Sequence, residues 1–298
     1  MTQPLAVAGL VTGAIVWGLI WYPLRALGSQ GLMGSVSTAY VYAVSLMVAL
    51  LLFWQHLPAW RTGRRALLLI GLSAGWTNLA YVLAIVDGEV MRVLLLFYLA
   101  PLWTVIFARW LLDERHGRMG ALVVMVSLCG AIVMLWNPDQ GWPIPSNRAE
   151  WLGLSAGMAF ALSNVLIRQA SALSIQIKSL AVFVCVTALA LLWSLLSPAT
   201  QLLPPLDGAH WALVVVIGVV ILGTNLAVQY GLDRTSATQA IVILLFELVV
   251  AAIGAYYLAG EAMTAREWLG GALIVTASLL SSRLAPTPPG DKPAQVTA

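Results

Sequence analysis

Thr77-Asn78-Leu79-Ala80 and Thr224-Asn225-Leu226-Ala227 are the same four residues, 147 positions apart. At that shift Asp113-Glu114 falls on Gly260-Glu261, and the 38 positions from Thr77 to Glu114 need no gap. Each copy reads as an apolar helix carrying an asparagine, a short turn, a second apolar helix, and an acidic residue where the hydrophobicity stops. Two flanking blocks repeat in the same order. Gly9-Leu10 and Gly13 return as Gly153-Leu154 and Gly157, and Gly120 to Leu128 returns as Gly271 to Leu279 with six identities in nine. Apolar bias alone does not put three blocks in one order at nearly one shift, so the chain reads as a duplication.

Composition says what is duplicated. The chain is 61% apolar and only 9% charged, against roughly 25% charged residues in soluble domains. Apolar runs of about 20 residues, the length of helix that crosses a bilayer core, recur at ten places: 5–24, 35–54, 66–86, 93–112, 119–136, 151–169, 180–196, 211–230, 237–259 and 268–284. The alternating ten-residue strands of an outer-membrane barrel are missing from the pattern. The fold class expected is therefore an all-α membrane protein of ten transmembrane helices, built as two five-helix repeats. Residues 1–136 form the first unit, 137–150 an external linker rich in proline and glycine, 151–284 the second unit, and 285–298 a disordered tail.

Five is odd, so the second unit enters the membrane from the opposite side, and inverted repeats of this kind place a substrate site near the midplane where the units meet. The first run is too long for a cleavable signal and has no basic residue before it, so it is expected to be retained. Sorting the basic residues onto alternate sides puts eleven on one face and only Arg25, Arg92, Arg148 and Arg266 on the other. The positive-inside bias then places both termini in the cytoplasm. The net charge of +3 is thereby explained as topology and implies no nucleic-acid partner.

Catalytic chemistry finds little support. His56, His116 and His210 fall in loops, no His, Cys and carboxylate cluster has metal-ligand spacing, and the only lysines, Lys178 and Lys292, do not sit in a phosphate-binding loop. The expectation is a non-enzyme without metal or cofactor, moving a small-molecule solute along a gradient among membrane lipids. A monomer suffices for this.

Glu247 is the one acidic residue in the middle of an apolar run, where a charge costs a few kcal/mol. It shares a helical face with Ala240, Leu244, Ala251 and Gly254. Such a carboxyl group either binds a proton or a substrate ammonium during transport, or serves as hydrogen-bonded glue between helices. Pro101 lies mid-run and leaves the Phe97 carbonyl without its helical partner, as a hinge, a ligand contact or a plain kink. Asn78 and Asn225 are deep amides that need partners, either across helices or on a ligand. Trp17 and Trp21 share a face of the first run with its glycines, and Asn164 follows the matching glycines of the sixth. Trp17, Trp76, Tyr81, Tyr98 and Trp103 lie well inside their runs, where they suit either helix packing or an aromatic-lined cavity for a flat amphipathic solute.

Tyr98-Leu99-Ala100-Pro101-Leu102-Trp103, followed by Leu111-Leu112-Asp113-Glu114 and Gly120, resembles the EamA repeat of the drug/metabolite transporter superfamily. Leu245-Phe246-Glu247 through Leu258-Ala259-Gly260-Glu261 to Gly270-Gly271 resembles its second unit, with Leu248 where a proline is common. The resemblance, strongest to YddG-type aromatic amino acid exporters, implies a bacterial inner-membrane exporter of Phe, Tyr or Trp, or a broader metabolite or drug exporter. Its substrate-binding residues would be Trp17, Trp21, Trp76, Asn78, Tyr81, Tyr98, Pro101, Asn164, Asn225 and Glu247, with Glu247 as the proton-coupling group.

Overall fold

The computed structural model describes residues 2–32, 34–111, 145–197, 207–234, 246–260 and 264–281, with short pieces between 122 and 133 and at 243–244. The run at 119–136, most of the linker, Ala240 and the tail at 285–298 lie largely or wholly outside them. Every element assigned among the described residues is helical. In hydrocarbon this is forced, because a helix satisfies its own backbone polar groups within one segment.

The elements are α1 (Thr2–Leu19), α2 (Trp21–Ser29), α3 (Gly34–Phe53), a 3₁₀ turn (Trp54–Ala59), α4 (Trp60–Asp87), α5 (Val90–Phe97), α6 (Ala100–Leu111), α7 (Arg148–Gln169), α8 (Ile175–Leu196), α9 (Gly208–Arg234), α10 (Phe246–Gly254), a π turn (Ala255–Ala259) and α11 (Ala265–Ser281). Among the described residues, six stretches are long and apolar enough to cross a membrane: Pro4–Ser29, Gly34–Ala59, Gly63–Asp87, Arg148–Gln169, Ile175–Leu196 and Gly208–Gly231.

Several boundaries differ from expectation. The first run does not stop near residue 24 but turns at Ile20 and continues to Ser29, so Arg25 stands in a helix. Residues 148–150, assigned above to the linker, are the first turn of α7. The run at 93–112 is two short helices rather than one.

Local signals account for the helix ends. Asn147 caps α7, accepting the Glu150 backbone N–H at 2.9 Å while the Glu150 carboxylate accepts the Ser146 backbone N–H at 2.8 Å. Thr264 and Glu267 exchange reciprocal bonds at α11, at 3.3 and 2.7 Å, a capping box. Both arrangements satisfy donors that would otherwise be orphaned at the helix start. At α9 the exposed Asp207 carboxylate accepts the His210 backbone N–H at 2.9 Å, and that bond, with the His210 ring, holds it below the usual carboxylate range. The π turn ends at Gly260, whose φ of +68° favours glycine.

Helix packing crosses between the halves. α4 packs most extensively on α7 and α8, α9 on α1 and α3, α3 also on α8, and α1 also on α10, while α7 lies against α5 and α6. Glycines allow these approaches. A Cβ on Gly71 would stand 2.7 Å from the Ala181 carbonyl oxygen of α8, and one on Gly218, 147 residues later, 2.7 Å from the Val41 carbonyl oxygen of α3. Leu51, Leu69, Leu196 and Tyr257 point outward, as a lipid-facing surface requires.

One end of the bundle gathers three basic residues assigned above to the same side. Arg25 donates to the Ile85 carbonyl at 2.9 Å and to that of Gly88. Arg92 pairs with Glu150 at 3.1 Å, and the Arg148 guanidinium lies 5.5 Å from the Trp193 ring centre.

Candidate functional site

Tyr98 occupies the turn between α5 and α6, and the sequence dictates that turn. Pro101 has no N–H to give the Phe97 carbonyl, whereas in the first turn of a helix that N–H would have no partner anyway, so α5 ends and a new helix begins at Ala100. Pro101 thus sits in the first turn of α6 and not in the middle of a helix. The Phe97 carbonyl lies against α7: a Cβ on Gly157 would lie 2.3 Å from that oxygen.

The turn aims Tyr98 at Glu247 of α10. Its hydroxyl is within hydrogen-bonding reach of the Glu247 carboxyl group, and Tyr81 of α4 is within electrostatic reach of both. Tyr81 and Tyr98 are 6% and 9% exposed, yet neither hydroxyl closes a well-formed hydrogen bond. The Tyr81 hydroxyl has no partner at all, and a buried unpaired donor is exceptional, since it costs about 1–3 kcal/mol. Glu247 is half-buried, and its backbone carbonyl lies 2.9 Å from where a Gly18 Cβ would stand, which seats α10 on α1. Phe97 forms an aromatic wall beside the cluster, its ring centre 5.3 Å from those of Tyr81 and Phe160 and 5.7 Å from that of Tyr98.

Tyr81 also lines a cavity of about 10 Å³ with Trp17, Thr38, Tyr42, Asn78 and Ile221 among its walls. That is room for about one water molecule. No amino acid fits in it. Tyr42 donates to Asn78 Oδ1 at 2.5 Å, and Asn78 Nδ2 donates to the Ala74 carbonyl at 2.7 Å.

The other repeated asparagine has a different setting. Asn225 Oδ1 accepts from Gln229 Nε2 at 2.7 Å and from the Ser179 hydroxyl at 3.2 Å, while Gln229 Nε2 also donates to that hydroxyl at 2.8 Å. Each asparagine is thus tied to a hydroxyl on the preceding long helix, Tyr42 of α3 or Ser179 of α8.

Glu247, Tyr98 and Tyr81 come together, and Trp17 and Asn78 join them through the cavity. Trp21 does not: it is 1% exposed, donates to the Gly18 carbonyl at 3.0 Å and packs in the core under Arg25. Trp76 turns away to donate to the Ser155 hydroxyl at 3.2 Å, with its ring against Trp193. Asn164 is half-buried on α7 and is not part of the cavity wall. Tyr42, Thr38, Ser179 and Gln229 were missed from sequence. A hydroxyl in an apolar run carries no signal of its own, but Gln229, four residues after Asn225, was a readable one.

The model of the EamA-like transporter family matches residues 4–136 and again residues 147–283. An uncharacterized transporter of Pseudomonas aeruginosa is 25% identical over 166 residues, covering 54% of this chain. The match spans about half of that relative's length, 53%. A crystal structure superposes on 93% of this chain and 95% of its own with a TM-score of 0.62 and 17% identity, a likeness of fold alone.

Proposed function

Because this chain belongs to the EamA-like transporter family, and is thereby a membrane transporter of small molecules, we propose that it is a secondary exporter working by alternating access. Its two units, 1–136 and 151–284, act as inverted five-helix repeats, ten helices in all, with both termini cytoplasmic in a bacterial inner membrane. The reciprocal pairing of α4 with α7 and α8, and of α9 with α1 and α3, supports this reading. So does the matched seating of Gly71 and Gly218, as expected for one packing scheme used twice.

The observation that carries the functional reading is the meeting of Tyr81 and Tyr98 from the first half with Glu247 from the second. A site made by both halves changes when either moves, as alternating access requires. Its aromatic flank suits a flat amphipathic cargo, with aromatic amino acids first and broader metabolites or drugs as the second reading. Proteoliposomes test it: counterflow of labelled Trp and Phe is expected, with none of Lys. Flux of a hydrophobic cation without any flux of aromatics would overturn the amino acid reading in favour of the second.

A further inference from the structure

We propose that the Tyr81–Tyr98–Glu247 site selects cargo by an ammonium group, and that an aromatic amine without a carboxylate is preferred to the corresponding amino acid. The inference rests on the exporter reading above and narrows its substrate class.

The argument is one of charge and of unused hydrogen-bonding capacity. Among the described residues, the groups acting electrostatically on Tyr81, Tyr98 and Glu247 are one another, with no basic side chain among them. The nearby arginines are engaged at the end of the bundle, Arg25 with the Ile85 and Gly88 carbonyls and Arg92 with Glu150. Lys178 is turned to the Ile167 carbonyl at 3.3 Å. A substrate carboxylate would therefore enter a low-dielectric site holding another carboxylate and no cation, the arrangement in which like charges repel most strongly.

An ammonium group meets the opposite situation. Glu247 supplies the countercharge, the Tyr81 oxygen is buried and unpartnered, and the Tyr98 hydroxyl, which faces Glu247 as a donor, keeps lone pairs, so both tyrosine oxygens can accept its remaining N–H groups. Phe97, flanked by Tyr81, Tyr98 and Phe160, offers the ring of the cargo an aromatic wall beside that anchor.

The test is equilibrium binding to the purified full chain of three probes differing only in charged groups: phenethylamine, L-phenylalanine and 3-phenylpropionate. The amine is expected to bind about tenfold or more tightly than phenylalanine, a difference of 1.4 kcal/mol or more, and phenylpropionate not to compete. Glu247→Gln is expected to remove that preference, and Tyr98→Phe, which keeps the ring and loses the acceptor, to weaken amine binding severalfold. Phenylalanine binding as tightly as the amine, with Glu247→Gln without effect, overturns the inference and leaves the exporter reading standing. Binding of none of the three overturns the aromatic-cargo reading together with it.

Discussion

Replacing Gly157 by alanine places a methyl carbon 2.3 Å from the Phe97 carbonyl oxygen and 2.9 Å from both Phe97 C and Cα. All three are backbone atoms, so no rotamer change relieves the clash. A carbon–oxygen contact settles at roughly 3.3 Å, near the weak hydrogen-bond range, so α7 and the α5 end must part by about 1 Å. Overpacking of this kind costs about 1–3 kcal/mol. For a chain of this size that corresponds to a fall of roughly 2–10 °C in Tm. Function is expected to suffer more, because Tyr98 follows Phe97 directly and a shift of about 1 Å takes its hydroxyl out of reach of Glu247. The assay is thermal unfolding in detergent beside flux in proteoliposomes, with Gly223→Ala as control, since nothing stands within 4 Å of a Cβ at Gly223. Gly157→Ala matching that control in both measurements would refute the packing argument and the link from packing to site.

Other perturbations separate stability from transport. Tyr81→Phe removes a buried unpartnered hydroxyl, so Tm is expected to hold or rise while flux falls, the trade made when an active site keeps unsatisfied groups. Glu150→Ala strands Arg92, whose partner is a nearly buried carboxylate, and is expected to cost about 3 kcal/mol; Glu150→Gln, which keeps an acceptor for the cap, should cost less in the same unfolding assay. Asn225→Ala opens the ring with Ser179 and Gln229 and is expected to lower stability by about 1 kcal/mol, the range of such bonds in membranes. Asp207 is held below its usual range, so it adds stability above the unfolded carboxylate pKa of about 3.9, lost as pH falls through the lower folded value. An acid titration of Asp207→Asn should lack that contribution.

Much of this was readable in the residues, and the failures have physical causes. Apolar run length located the long helices because bilayer thickness leaves few alternatives. It did not foresee the α5–α6 break, because Pro101 acts on the turn before it, so the proline read as lying mid-helix stands at a helix start. Glu247, Tyr81 and Tyr98 stood out as polar or amphipathic groups at unusual depth. Trp21 and Trp76 had the same sequence character, but a helix face seen alone does not say which neighbour it meets, and theirs are Gly18 and Ser155. The bond between Arg92 and Glu150 was hidden because both residues counted as end charges, and their pairing depends on how the halves dock.

The most direct test of the account is whether Tyr98 is reached from each side of the membrane in turn. With Cys129→Ser and Cys185→Ser as background, Tyr98→Cys is labelled by a membrane-impermeant thiol reagent applied to either face of oriented vesicles, with and without cargo. The account predicts slow labelling from both faces, because Tyr98 is only 9% exposed, and a change in the balance between faces when cargo is present on one side. Labelling from one face only, indifferent to cargo, would contradict it.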